Sequence, residues 1–214
     1  MPRRVFSTEA ILDAAREVVV ERGARAATVE AIARAAGVPI GSIYHRFDSL
    51  AELLARTWLR AARRSQERAL EVPVSPQRPL ESAEAVALAM YDHCLSDPQD
   101  TLLLDALGRG DLLAMELGGL REELETVNER VEALMAELAR ALYGRADRRG
   151  RDLVLLALVD MPHGFAHRQL VSGLRTPARR ERLPAAVRAV LRAAEGAPGG
   201  AAPELVSAGG APHR

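Results

Sequence analysis

The sequence predicts an all-α protein, and three observations support this fold class. Apolar residues recur at helical spacing along nearly the whole chain. No run of β-branched or aromatic residues alternates with polar ones, as it would in a half-buried strand. Glycine or proline follows several of the periodic segments, where either residue would end a helix. Because 48% of the 214 residues are hydrophobic, the chain can bury a sizeable core.

Four helices are predicted in the first 70 residues, over about 8–21, 28–37, 40–46 and 49–70. Gly23 and Gly37 end the first two, because glycine readily adopts the left-handed conformation that terminates many helices. The segment EVPVSPQRP then breaks the helical pattern with three prolines and marks the boundary between two modules.

Five further helices are predicted near 80–95, 99–107, 117–143, 148–173 and 178–194. The stretch LGRGD at 107–111 is interpreted as a helix stop followed by a new start at Asp111. The segment 196–214 is rich in glycine, alanine and proline and is predicted to be disordered. The predicted domains are 1–50, with the helix-turn-helix at 28–47, then 51–195, and this tail.

Charge is divided unevenly along the chain, although the formal net charge is zero. Residues 1–70 hold 12 arginines and 8 acidic residues, whereas residues 71–214 hold 17 and 21. The basic N-terminal region and the acidic C-terminal region suggest that the two parts of the chain have different roles. All 29 basic residues are arginine, so every cationic contact to a phosphate would use a guanidinium group.

The sequence also predicts where the protein works. The first residues lack the uninterrupted apolar core of a signal peptide, and no stretch approaches the roughly 20 apolar residues of a membrane span. The single cysteine, Cys94, cannot form an internal disulfide, which fits a reducing compartment. We therefore expect a cytoplasmic protein with no membrane partner.

Residues 28–47, TVEAIARAAGVPIGSIYHRF, predict two short helices joined by a tight turn. Thr28 is placed to cap the first helix, and Gly37 supplies the positive φ that a sharp turn requires. Pro39 is tolerated at the start of the second helix, because its missing N–H would have no intrahelical partner there. This pattern is a helix-turn-helix, whose second helix can lie in the major groove of DNA.

The second helix of this motif has two faces of different chemistry. Ile43 and Phe47 lie four residues apart and can pack inward. Glycine at the outer face lets two backbones approach, serine can bond to a phosphate or a base, and tyrosine offers a ring and a hydroxyl. The outer residues suited to DNA are Ile40, Gly41, Ser42, Tyr44, His45 and Arg46. The alternative is that Tyr44 and His45 merely cap a small core.

On these residues the sequence resembles the TetR family of bacterial transcriptional regulators. The resemblance covers about residues 6–55 and includes A-G-V, G-S and Y-x-x-F elements in the expected places. It implies an N-terminal three-helix DNA-binding domain and a larger helical C-terminal domain that binds a small molecule and dimerises. The positions it implies for DNA contact are Thr28, Pro39, Ile40, Gly41, Ser42, Tyr44 and Arg46, with Arg3 and Arg4 on an arm able to reach the backbone.

Two departures from the family pattern bear on affinity for DNA. Leu50 stands at the start of the fourth helix, where the family commonly has a lysine that meets a phosphate. Pro39 and Ile40 stand where a small polar residue and often a polar or basic one are usual. Both departures predict fewer contacts to the DNA.

Candidate ligand-binding residues in the C-terminal region are unusual groups on otherwise apolar helices. Pro162 and Gly164 should kink one of these helices and free backbone groups for a ligand. Such residues at helical spacing are also common in plain cores. The candidates are Trp58, Met90, Tyr91, His93, Cys94, Asp160, Met161, His163, Phe165 and His167.

The sequence predicts neither a metal site nor an enzyme. His163 and His167 have metal-ligand spacing, and His93 with Cys94 could complete a site, but no carboxylate motif accompanies the pair. The chain has no G-x-S-x-G, no P-loop and no dinucleotide-binding glycine fingerprint. We therefore expect no cofactor.

The last two predicted helices are candidates for a dimer interface. The stretches DLVLLALVDM and LPAAVRAVLRAA are more apolar than one domain core requires and could form a four-helix bundle with a second copy. The interface residues predicted in this way are Leu155, Leu183, Val187, Val190 and Leu191. The alternative is that the helix at 117–143 covers this surface within the same chain.

Together these observations favour a homodimeric repressor that binds a palindromic double-stranded DNA operator and is released by a small-molecule effector. Two alternatives remain open on the sequence alone. One is a helical carrier or enzyme in which the helix-turn-helix is only structural, and the other is an activator that responds to no ligand.

Overall fold

The computed structural model describes residues 7–173 and 177–193, and these form a bundle of helices in which no strand occurs. The predicted arm residues Arg3 and Arg4 and the predicted disordered tail at 196–214 lie outside the described residues. The first four helices are α1 (Thr8–Arg22), α2 (Val29–Ala36), α3 (Ile40–Tyr44) and α4 (Leu50–Leu70). A short 3₁₀ turn, Ala24–Ala26, lies between α1 and α2. The four predicted helices of this region are confirmed.

Side-chain caps explain why these helices begin where they do. Ser7, Thr28 and Ser49 each accept a hydrogen bond from the backbone N–H three residues on, at 3.1, 3.2 and 3.0 Å. Each bond satisfies a donor that the first turn of a helix leaves unpaired. Gly37 ends α2 with φ of 64°, in the left-handed region predicted for it.

The remaining helices form the rest of the bundle. They are α5 (Pro79–Ser96), α6 (Pro98–Ala106), α7 (Arg109–Leu113), α8 (Leu120–Thr126), α9 (Glu129–Tyr143), α10 (Arg148–Leu155), α11 (Met161–Ser172) and α12 (Pro177–Ala193). Among the described residues, no helix combines the length and apolar character that crossing a membrane requires.

Two predictions of helix boundaries are wrong between residues 107 and 143. The segment 117–143 is not one helix, because Gly118 has φ of 52° and the chain is interrupted again at Val127 and Asn128. The Asn128 amide oxygen accepts a hydrogen bond from Gln66 at 2.9 Å, which holds this interruption against α4. Asp111 does not start a helix either: α7 begins at Arg109, and the Asp111 carboxylate accepts from the N–H of Gly108.

The helix predicted over 148–173 contains a π-helical turn, Leu156–Asp160, between α10 and α11. Pro162 is the second residue of α11, two residues after the π turn ends, and it has no N–H to donate to the preceding helical turn. The kink predicted at Pro162 and Gly164 stays a prediction. The irregularity that the structure has here is the π turn before them, a feature that inserts one residue into an α-helix.

Two hydrophobic clusters form the core. The first contains the inner faces of α1 to α4 together with leucines of the 103–124 region, including Leu103, Leu107 and Leu124. The second contains inner residues of α5 and α9 to α12, with Ala69 from the end of α4. Since α4 contributes to both clusters, it connects the helix-turn-helix to the rest of the chain. The domain ranges 1–50 and 51–195 stay predictions.

The dimer interface predicted on α12 needs a correction. Leu183, Val187 and Leu191 are between 0% and 1% exposed, because this face of α12 packs on α5 within the same chain. Their apolar surface is therefore used by the protein's own core and is not left over for a second copy. Val190 is partly buried against the same cluster, whereas Leu155 is 45% exposed. The helix that covers most of this face of α12 is α5. The segment at 117–143 contributes as well, because α9 packs on α10 and the Tyr143 hydroxyl donates to the Leu191 backbone oxygen at 3.0 Å.

Candidate nucleic-acid interface and candidate ligand cavity

The inner face of the helix-turn-helix is firmly packed. Ile43 and Phe47 are each 1% exposed, and Val38 is buried at the corner between α2 and α3. The inward packing predicted for Ile43 and Phe47 is confirmed. This packing fixes which side of α3 faces outward, because neighbouring helical positions are separated by about 100°.

The outer face of α3 carries two of the large apolar side chains that the described chain leaves exposed. Tyr44 is 55% exposed and Ile40 is 42% exposed. Pro39, Gly41 and His45 are also exposed, and Ser42 and Arg46 are partly exposed. The predicted DNA-contacting residues of this helix are thus brought together on one accessible surface, which we call the α3 face. Tyr44 and His45 do not cap a core, since both are exposed.

Gly41 on the α3 face is not required by the packing of the chain. A β-carbon at this position would meet no other atom within 4 Å, and its φ is not positive. Neither internal crowding nor a special backbone conformation therefore explains the glycine. A glycine in such a place allows another molecule to approach the backbone closely.

Arg46 is held along the same helix. Its Nη1 donates a hydrogen bond to the backbone oxygen of Ser42 at 2.8 Å, one turn earlier. This bond satisfies a carbonyl near the end of a short helix. It also holds a guanidinium group against the backbone of the α3 face.

The elements that precede α3 carry exposed charges of both signs. Arg25 and Arg34 are exposed, on the 3₁₀ turn and on α2. Glu30 is exposed in the first turn of α2, where hydrogen bonds from the helix backbone and then from Thr28 lower the pKa of its carboxyl. Thr28 caps α2 as predicted, and the DNA contact predicted for it stays a prediction.

Leu50 is partly buried at the first position of α4 and packs against the first hydrophobic cluster. A leucine at this place therefore contributes to the core. It offers no charge to a phosphate near α3.

A cavity of about 570 Å³ lies between α4, α5, α6, α7, α9 and α10. This volume is in the range of sites that hold drug-sized molecules. Its apolar lining consists of Trp58, Ala62, Ala69, Met90, Leu104, Val131, Met135, Leu155 and Val159. Its polar lining consists of Ser65, Gln66, Arg109, Asn128, Glu132, Arg148, Arg151 and Asp152. The Trp58 ring lines the cavity, and its buried indole N–H has no hydrogen-bond acceptor in the described part of the chain.

Only two of the predicted ligand-binding residues line this cavity, namely Trp58 and Met90. Tyr91 and Cys94 are buried in the second cluster. Burial raises the pKa of the Tyr91 phenol, whose hydroxyl donates to Gln169 at 3.1 Å, and raises the pKa of the Cys94 thiol to about 11. His93 is buried elsewhere, and burial lowers its pKa. Asp160, Met161 and Phe165 do not line the cavity either.

His163 and His167 lie together and share a carboxylate on α6. The Nε2 of His163 is 3.0 Å from one oxygen of Asp105, and the Nδ1 of His167 is 2.6 Å from the other. The hydrogen bond to Asp105 raises the pKa of His163. Burial alone would raise the pKa of Asp105, but the two histidines outweigh it and lower that pKa. These three residues join α6 to α11, and no group that could hold a metal ion occurs in the residues described.

Most of the cavity lining was missed by the sequence analysis. Leu104, Val131 and Met135 are ordinary helix residues, and Arg109 and Arg151 belong to polar stretches that have no motif. Their common role arises only because α9 and α10 meet α4 in space. The one usable signal was a single tryptophan on α4, and Trp58 does line the cavity.

Known regulatory proteins have sequences similar to the first helices of this chain. The sequence model of bacterial regulatory proteins of the tetR family matches residues 11–57. The HTH-type transcriptional regulator SrpR of Pseudomonas putida is 41% identical over 83 residues, which are 38% of this chain and 37% of that protein. The uncharacterized HTH-type transcriptional regulator TtgW, also of Pseudomonas putida, is 41% identical over 83 residues, which are 38% of this chain and 58% of that protein. The matches thus span less than two thirds of these relatives.

The similarity of fold extends over most of the chain. A TetR-like transcriptional regulator from Rhodococcus sp. RHA1 superimposes with a TM-score of 0.67 at 18% identity, over 92% of this chain and 100% of that one. A tetR family regulator from Shewanella sp. PV-4 gives 0.66 at 18% identity, over 87% and 96%. At this identity the likeness concerns the fold alone.

Proposed function

The chain belongs to the TetR family of bacterial regulatory proteins, and on that premise we propose that it is a homodimeric repressor released from its DNA operator by a small molecule. The observation that carries the proposal is the α3 face. This surface combines exposed Tyr44 and Ile40 with a glycine that the fold does not require. Ring, hydroxyl and backbone groups of this kind contact base edges and phosphates.

The cavity supplies the proposed effector site. It opens between α4, which begins directly after the helix-turn-helix, and the helices of the C-terminal region. A ligand can change affinity for DNA only if it binds the DNA-competent and the incompetent conformations with different affinity. Trp58 on α4 and Leu104 on α6 line the cavity, and both helices pack on α1 of the DNA-binding region.

A second copy of the chain is part of the proposal, because one recognition helix covers only a few base pairs. With the inner face of α12 used internally, we place the interface on the exposed apolar side chains that remain near the C-terminal helices. Leu156 on the π turn and Val171 on α11 are 41% and 68% exposed. Burial of these side chains against a second copy would remove apolar surface from water and so favour association.

Selection of bound fragments from random duplex DNA by the purified protein tests the function. We expect enrichment of a palindrome whose half-sites are about 34 Å apart or a multiple of this distance. The Tyr44→Ala variant should lose the enrichment, whereas Arg182→Gln, which changes an exposed side chain of α12 far along the chain from α3, should keep it. If the folded dimer enriches no sequence, the proposed function is wrong.

A further inference from the structure

The rim of the cavity carries more positive than negative charge. Arg109, Arg148 and Arg151 lie on it together with Glu132 and Asp152. The three guanidinium groups come from two separate places in the chain, the start of α7 and α10. All three line the same cavity.

These arginines are poorly paired by the protein itself. Arg148 approaches Asp152 only to 3.9 Å, and Arg109 makes a long bond of 3.5 Å to the backbone oxygen of Glu125. The Arg151 side chain has no ion-pair or hydrogen-bond partner among residues 7–173 and 177–193. By contrast, Arg180 binds the Asp92 carboxylate through two bonds of 2.7 Å.

The interior of the cavity has a different character from its rim. Its walls are formed by Trp58, Met90, Leu104 and Met135 with further aliphatic groups. Such walls favour an apolar body, because water gains little by remaining against them. A ligand that fits both regions has an apolar part inside and a charged group at the opening.

We propose that the cavity binds an amphipathic organic anion with an apolar body and one carboxylate. The carboxylate meets Arg151 and Arg109 at the rim, where a planar guanidinium can donate two hydrogen bonds. Arg148 and Asp152 largely offset each other, so Glu132 is the rim carboxylate that opposes the anion. This inference rests on the proposed function in that the cavity is taken as the effector site.

The test uses three probes with the same apolar chain, namely decanoate, decan-1-ol and decylamine, each below its micelle-forming concentration. Trp58 is the only tryptophan and lines the cavity, so its fluorescence reports binding without any DNA present. We expect decanoate to bind more tightly than decan-1-ol, and decan-1-ol more tightly than decylamine. Equal affinities, or decylamine binding most tightly, would overturn the inference.

Two arginine variants make the test specific. Arg151→Gln should weaken decanoate binding about tenfold and leave decan-1-ol unchanged, because a partly exposed charged hydrogen bond is lost. Arg182→Gln changes an exposed arginine of α12 that does not line the cavity, and it should leave both affinities unchanged. If Arg151→Gln and Arg182→Gln behave alike, the rim does not select the anion.

The anion site and the release of the protein from DNA by a ligand are tested by different measurements, so one can be refuted without the other. A gel shift with the selected DNA, with and without decanoate, measures release from the operator. Decanoate that binds according to the expected order but leaves the DNA affinity unchanged supports the anion site and refutes release by its occupancy. An unchanged Trp58 signal with all three probes overturns the anion site, whatever the protein does with DNA.

Discussion

Asp100 of α6 accepts a hydrogen bond of 2.6 Å from Arg16 of α1, and it is only 1% exposed. Its other oxygen lies 3.3 Å from Arg64 of α4. One buried carboxylate thus ties the first helix of the DNA-binding region to the two helices that carry Trp58 and Leu104. Movement of α6 caused by a ligand would reach α1 through this residue.

Replacement of this carboxylate should destabilise the protein. Asp100→Asn removes the charge but keeps the shape, and we expect a loss of about 1–3 kcal/mol in the free energy of unfolding measured by urea denaturation. The loss is at the low end for a buried ion pair because Arg64 is 43% exposed and can return to water. Asp13→Asn is the control, since Asp13 also contacts Arg16 but is 53% exposed. Equal losses in the two variants would show that burial of Asp100 has no special effect.

Substitutions on the α3 face should lower the affinity for DNA without lowering the stability of the fold. Tyr44→Ala and Arg46→Ala are expected to weaken operator binding in a gel shift by about tenfold or more each, while helicity by circular dichroism is retained. Ile43→Ala should instead lower the free energy of unfolding by about 2–5 kcal/mol, because Ile43 is core. Unchanged operator affinity in both outer-face variants would contradict the assignment of α3.

The salt dependence of DNA binding and a variant at residue 50 test the contacts with phosphates. Operator affinity should fall steeply with salt, because arginines that neutralise phosphates release counterions. Leu50→Lys should tighten binding to every duplex by a similar factor and make the slope of log affinity against log salt steeper by about 0.9 for each subunit, or about 1.8 for the proposed dimer. The loss of partial packing at Leu50 should cost less than about 1 kcal/mol. A gain confined to one operator would show that this position reads bases.

The His163–Asp105 pair predicts how stability depends on pH. The pKa of His163 is raised in the folded protein, so its contribution is complete below its unfolded pKa of about 6.5 and is lost as pH rises through the folded pKa. The pKa of Asp105 is lowered, so its contribution is present above about pH 4 and is lost as pH falls through the folded pKa. His163→Gln should therefore cost most between about pH 4.5 and 6, by less than about 1 kcal/mol because the pair is partly exposed.

A double variant controls this prediction. With Asp105→Asn already present, His163→Gln should make no further pH-dependent difference to the free energy of unfolding. The measurement is urea denaturation at several pH values. A pH-dependent effect that persists without Asp105 would assign the dependence to other groups near His163, such as Asp160.

The helix-turn-helix could be predicted from the sequence because its signals are local. Thr28, Gly37 and the Ile43–Phe47 spacing each act within a few residues, and the structure places them as expected. The cavity could not be predicted in the same way. Its lining joins residues such as Trp58, Arg109 and Arg151, and nothing in their neighbouring sequence shows that α4, α7 and α10 meet.

The placement of the dimer interface on the inner face of α12 was wrong for a related reason. The apolar stripe of α12 is real, but a stripe does not reveal whether its partner is a helix of the same chain or of a second copy. The structure answers this for Leu183, Val187 and Leu191, which are covered by α5. Arginine at Val187 and Leu191 would therefore disrupt the fold of each subunit, and it cannot serve as a test of dimerisation.

The π turn at Leu156–Asp160 holds one residue more than a regular α-helical turn, which is the change that insertion of a single codon makes. Each residue turns an α-helix by about 100°, so one extra residue sets the direction of everything that follows it. Leu155 and Val159 line the cavity on one side of the chain, while His163 and His167 reach Asp105 on α6. Deletion of one codon in this turn would restore a regular helix and rotate both histidines away from Asp105. A change of three nucleotides would thus detach α11 from α6 without altering a single residue of the α3 face.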